Sequence, residues 1–202
     1  MHHNKGDMGI KELNNFWKWV SVNINNLNPS NINDEYIGAL DDKIKELGDF
    51  SWEIGYDNMK SKNFLAISPE GDIDLLKDSK SILNESPIIA GWVFYSARPP
   101  KQWNLVFELI INDKPVSFNA KEWQYVLYRY DNNVYDIVVK VPTAYKPYEE
   151  YFDNIGFIAT EGELGEAFVL EYINVIDLVY EFNEREQGKA KDFIYLKTEI
   201  LL

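Results

Sequence analysis

Gln124 to Val141, QYVLYRYDNNVYDIVVKV, is the stretch whose reading decides the fold. Two runs rich in aromatic and β-branched residues, Gln124 to Tyr130 and Val134 to Val141, flank Asp131-Asn132-Asn133, a connection in which asparagine tolerates left-handed backbone. That pattern is a β-hairpin. Upstream, Leu105 to Ile111 and Val116 to Phe118 read as two further strands around the tight Asn112-Asp113-Lys114-Pro115 connection. Before them, Gly91 to Ala97 (GWVFYSA) is apolar on both faces, as an interior strand would be. Downstream, Pro147 reads as a helix start that introduces Tyr148, Tyr151, Phe152, Ile155 and Ile158. The glycine-acidic stretch EGELGE (Glu161 to Glu166) follows, then a strand at Val175 to Phe182. Phe193 to Leu202 closes the chain as a short element of undetermined type.

The N-terminal part has the helical period instead. Ile10, Leu13, Trp17, Val20, Ile24 and Leu27 recur at three- and four-residue spacing, and Asn28-Pro29 ends the run. A second helix starts after the N-cap Asn33, with Ile37, Leu40, Ile44 and Leu47 toward the core and Gly48 past its end. Phe50, Trp52, Ile54 and Tyr56 then alternate with polar residues as a half-buried strand. After a turn at Asp57 to Lys62, Phe64 to Ser68 is a second strand. Asp72 caps a helix that Pro87 ends. The expected architecture is α+β: an N-terminal helical pair and a mixed, mostly antiparallel sheet with helices on one face. Residues 1–8 read as a disordered tail and 9–202 as a single α+β unit, divisible into lobes 9–98 and 99–202 at Arg98-Pro99-Pro100.

Composition narrows the function. Hydrophobic residues make up 46% and aromatics 15% of 202 residues, enough apolar surface to offset the entropy of ordering the chain. The net charge of −13 opposes the counterion release on which nucleic-acid affinity rests, so no nucleic-acid partner is expected. A basic protein partner fits that charge. The absence of cysteine removes thiolate chemistry and cysteine-ligated metals. No apolar run approaches the length of a membrane span and the first residues are polar, so the expected location is cytoplasmic, with no membrane association. Oligomeric state is not legible.

No catalytic residue, metal site or cofactor is assigned. His2 and His3 are the protein's histidines and lie at its extreme end, where no reacting atom can be held in place. Glu161, Glu163 and Glu166 are the densest acids: read plainly they are a solvated turn, and read as helical, Glu163 and Glu166 share a face that suits a hard cation. The candidate binding residues are Trp19, Trp52, Glu53, Trp92 and Arg98. Counted round its helix, Trp19 lies about 110° from the centre of the apolar stripe, at the flank or surface. Trp52 neighbours Glu53, whose carboxyl would be raised by desolvation. Trp92 is close in sequence to Arg98, which follows a buried strand and could clamp a carboxylate or brace the corner.

The segments FWKWV (Phe16 to Val20), WEIG (Trp52 to Gly55), S-P-x-x-x-G-W-V-F-x-x-x-R-P-P (Ser86 to Pro100) and LGE (Leu164 to Glu166), in that order, resemble an uncharacterised family of bacterial proteins. The resemblance spans most of the chain and implies a bacterial cytosolic α+β protein. It carries no activity and no catalytic residue. The leading expectation is a non-enzymatic acidic interaction protein that binds another protein through a surface including Trp19 and adjoining carboxylates, for example in toxin neutralisation or regulation. Two alternatives stand beside it: a carboxylate-based, magnesium-dependent hydrolase, and a small-ligand-binding domain with an aromatic pocket.

Overall fold

The structure, a computed structural model, describes residues 9–201. The expected tail at residues 1–8, with His2 and His3, lies outside them. The chain divides into two compact units, one ending at Arg98 and the other beginning at Pro99.

The first unit opens with helix α1 (Ile10–Asn23), whose Phe16, Trp17 and Val20 are buried. A single tighter turn continues the stripe with Ile24 and Leu27. Helix α2 (Asp34–Lys45) starts where expected, because the Asn33 side chain accepts the Tyr36 backbone N–H at 3.1 Å and satisfies one of the orphan donors of the first turn. Strands β1 (Ser51–Asp57) and β2 (Lys62–Ser68) form an antiparallel pair, helix α3 (Ile73–Asn84) crosses over, and β3 (Trp92–Tyr95) lies parallel to β2. The Asp72 side chain caps α3 by accepting from the N–H groups of Asp74 and Leu75. Sheet order is β1-β2-β3. Leu40 and Ile44 of α2, Ile82 of α3 and the α1 stripe meet Leu65, Ile67 and Trp92 in one core on the helix-covered side. The Trp17 indole fastens α1 to this layer by donating to the Ile82 carbonyl at 3.0 Å. Removing a side chain such as Leu65 from water stabilises the fold by about 1.5–3 kcal/mol.

The second unit begins with the hairpin of β4 (Val106–Ile111) and β5 (Lys114–Asn119). Asn112 and Asp113 have φ of 50° and 61°, the left-handed pair that matches hairpin twist. Strands β6 (Gln124–Arg129) and β7 (Tyr135–Lys140) form the hairpin anticipated from the sequence, with Asn133 at φ 60°. A tight helical stretch over Thr143–Tyr151 leads to α4 (Phe152–Leu164) and α5 (Glu166–Tyr172), and β8 (Ile173–Val179) returns parallel to β7. Short elements finish the chain: α6 (Glu184–Gln187), β9 (Lys191–Asp192) against β6, and α7 (Leu196–Leu201). Sheet order is β8-β7-β6-β9. Trp123, Tyr125, Ile137, Val139, Ile155, Ala159, Phe193 and Leu196 form the core.

The α+β class and the N-terminal helical pair are as the sequence implied; several local expectations are corrected. The interior strand of the first unit is β2, buried from Phe64 to Ser68, and GWVFYSA supplies the edge strand β3. Ile37 faces solvent. Pro147 lies inside the tight helical stretch, with non-helical backbone at Tyr148, and the α-helix proper starts at Phe152. The strand expected over Val175 to Phe182 is β8, which begins at Ile173 directly after α5 and ends at Val179.

Candidate functional site

The acidic stretch Glu161 to Glu166 is the largest departure from expectation: all six residues are buried. It is the last turn of α4 and the first residue of α5, joined by Gly165 at φ 84° and ψ 148°, a conformation open essentially to glycine alone. Glu163 and Glu166 therefore belong to two helices and do not share the face that the cation reading required. The segment after Pro99 runs across this turn. Lys101 donates its backbone N–H to the Gly162 carbonyl at 2.7 Å, and the Trp103 ring covers Gly162, where a Cβ would meet it at 2.4 Å. Pro100 packs on Gly165 in the same way, 2.8 Å from where a Cβ would stand. The Trp103 indole N–H donates to Glu163 Oε1 at 2.8 Å. Burial pushes the Glu163 carboxyl up; the Trp103 bond and the Lys197 ammonium oppose that shift without cancelling it. Among the described residues no group of three acidic or histidine side chains is placed to hold a metal ion.

The five sequence candidates lie in the first unit and do not converge on one site. Trp19, Trp52 and Trp92 all pack against the helix-covered core. Trp19 is half-buried at the flank of α1, and Asn23 donates to its backbone carbonyl. Its exposed neighbours on α1, Asn15, Lys18 and Val22, bring no carboxylate to it. Glu53 alternates with Trp52 and Ile54 along β1 and so points to the other side of the sheet, opposite Ala66 in register. That side also carries Asp57, which accepts the Tyr95 hydroxyl at 2.5 Å, while the Lys60 ammonium lies 4.7 Å over the Tyr95 ring. The Tyr95 bond and two backbone N–H groups hold the Asp57 carboxyl low; burial and the same carboxylate push the Tyr95 hydroxyl up. Arg98 pairs with Glu70 at 3.3 Å, a partly exposed contact that braces the turn before α3.

A concave site exists elsewhere, in the second unit. A cleft of about 570 Å³ opens beyond the carboxyl ends of the parallel strands β7 and β8 and is lined by Glu122, Lys140, Val141, Pro142, Thr143, Tyr180, Glu181, Phe182 and Gln187. The ladder stops there because the strand ends: Val141 N–H still donates to the Val179 carbonyl at 2.9 Å, and after Pro142 the chain leaves the sheet for the tight helical stretch over Thr143–Tyr151. The Lys140 ammonium lies 5.4 Å over the Phe182 ring. Gln187 donates to the Phe182 carbonyl at 3.2 Å, and Asn119 donates to Glu122 Oε1 at 2.8 Å. Burial and the nearby Glu149 carboxylate push the Tyr180 hydroxyl up to about 12.

Sequence reasoning missed Lys140, Tyr180, Glu181 and Trp103. The lining residues sit at the ends of two strands whose parallel pairing depends on the α4–α5 crossover, and no local pattern announces such a pairing. The one available signal was proline directly after an apolar run, at Pro142. Comparison with known proteins adds no relative: no family model, no curated protein and no solved structure matches this chain.

Proposed function

We propose that this chain is a non-enzymatic, acidic interaction protein that binds a basic protein partner, with toxin neutralisation or another regulatory pairing as the analogy its charge suggests. The carrying observation is helix α2. Its exposed acids Asp34, Glu35 and Asp42 outnumber its cations: Lys43 is paired with Glu46 and Lys45 with Asp41, and Asp42 acts on Lys45 only as a second, more distant carboxylate. Other acids, by contrast, are engaged within the fold or paired at its surface: Glu163 by Trp103 and Glu186 by Tyr128 and the Asn183 N–H inside it, Glu199 by Tyr125 and Lys191 at its surface. An excess of outward negative charge accelerates encounter with a basic surface and makes association sensitive to salt.

Capture of a stoichiometric partner on the tagged chain at low salt, followed by association kinetics across a salt series, tests this reading. The expected partner is basic, and the triple change Asp34→Lys, Glu35→Lys, Asp42→Lys slows association by about 10-fold with little effect on dissociation. A partner of neutral or acidic character, or association indifferent to both salt and the triple change, removes the reading.

A further inference from the structure

The cleft at the ends of β7 and β8 carries a charge pattern that neither a simple anion nor a simple cation satisfies. Lys140 brings an ammonium group whose partner is the Phe182 ring rather than a carboxylate. Glu122 and Glu181 bring negative charge to the same lining. Of the two acids, Glu122 is partly used by Asn119, whereas Glu181 is exposed and stands between the aromatic residues Tyr180 and Phe182. A lone anion attracted to Lys140 would be repelled by the acids, and a lone cation attracted to Glu181 would be repelled by Lys140. A molecule bearing both charges meets both groups.

We propose that this cleft binds a small zwitterion of the α-amino-acid class, its carboxylate on Lys140, its ammonium on Glu181 and its apolar side chain against Pro142 and Tyr180, the apolar lining residues that are only partly buried. The volume lies within the range of small-molecule sites, about 300–1,000 Å³. The place in the fold agrees with the general position of ligands beside parallel strands, in the crevice beyond their carboxyl ends where the connections diverge. Phe182 is itself buried and serves as the seat of the Lys140 ammonium, and Lys140 is carried by the last position of strand β7 rather than by a loop. This site belongs to the second unit and is independent of the α2 surface.

Amide resonances of the full chain, followed while L-leucine, N-acetyl-L-leucine and L-leucinamide are titrated in, test the assignment. Leucine is expected to move the resonances of Lys140, Val141, Thr143 and residues 180–187, and each blocked form to bind at least about 10-fold more weakly, one lacking the ammonium and the other the carboxylate. Lys140→Met should erase the advantage of leucine over leucinamide; Glu181→Gln should erase its advantage over N-acetyl-leucine. Should either variant fail to fold, the three ligands on the unaltered chain decide the matter. Leucine and phenylalanine leaving those resonances unmoved at about 10 mM, or blocked forms binding as well as free leucine, would overturn the proposal.

Discussion

In the first unit Asp41 and Asp57 sit at or near the surface and are held ionised by donors: Lys45 foremost for Asp41, the Tyr95 hydroxyl for Asp57. In the second unit Glu161, Glu163 and Glu166 lie inside a helix junction, and the carboxyl of Glu163 is pushed up by burial. The same side-chain chemistry thus serves opposite ends. An acid left in water costs nothing to charge and shapes the external field. One taken out of water must be hydrogen-bonded or must favour its protonated form, and it fixes the geometry of whatever covers it. Glu199 shows that position in the second unit is not itself the cause. Burial acts to raise its carboxyl, but Lys191 and Tyr125 together outweigh that and hold it low.

Five changes break or sharpen this contrast, beginning with the largest. Trp123→Ala empties the centre of the second core, where the ring is 1% exposed, and should cost about 3–5 kcal/mol in chemical denaturation. Next come two glycines with similar positive φ and different surroundings. Gly165→Ala strains a glycine-only backbone and drives a methyl into Pro100, for a loss of about 3 kcal/mol by the same measurement. Gly91→Ala, at φ 78° with open space around its would-be Cβ, should cost only about 1 kcal/mol. A comparable loss at the two sites would show that packing of the Pro99–Trp103 segment contributes nothing at the acidic junction.

The last two changes concern pH. Because the folded-state carboxyl of Glu163 is raised, the native state holds its proton more tightly than the unfolded chain does. Its favourable contribution is complete below the unfolded value and fades as pH climbs through the folded one. Asp57 has the reverse sign: its contribution is present above the unfolded value and is lost as pH falls through the lowered folded one. Glu163→Gln, which can still accept from Trp103, should therefore improve in stability relative to the parent as pH rises from about 4 to 7. Asp57→Asn should worsen relative to the parent as pH rises from about 2 to 5, with little further change above that. Thermal unfolding at several pH values reads both, and parallel profiles for the two variants would abolish the distinction between outer and inner acids.

Much of the fold could be read before any coordinates. The Asn33 and Asp72 caps, the α1 stripe and the left-handed Asn133 are local devices, and local devices leave local traces. What escaped depends on distant partners. GWVFYSA looks like an interior strand because both of its faces are apolar, yet strand order is set by which neighbour reaches it, and only β2 does. EGELGE looks like a wet turn because glycines and acids dominate it. Its burial is produced by Pro100 and Trp103, some sixty residues upstream, which no periodicity connects to it. The cleft is illegible for the same reason, since its two strands become adjacent through a parallel crossover.

Tyrosine hydroxyls recur as the donors to carboxylates in both units: Tyr95 to Asp57, Tyr125 to Glu199, Tyr128 to Glu186 and Tyr130 to Asp136. All four phenols are raised, which postpones tyrosinate formation to strongly alkaline solution. Reagents that attack the phenolate, such as iodine or tetranitromethane, should accordingly react slowly with Tyr95 and Tyr125, where burial is the main cause of the shift, until the fold opens. Their labelling rate would then act as a built-in clock for local unfolding.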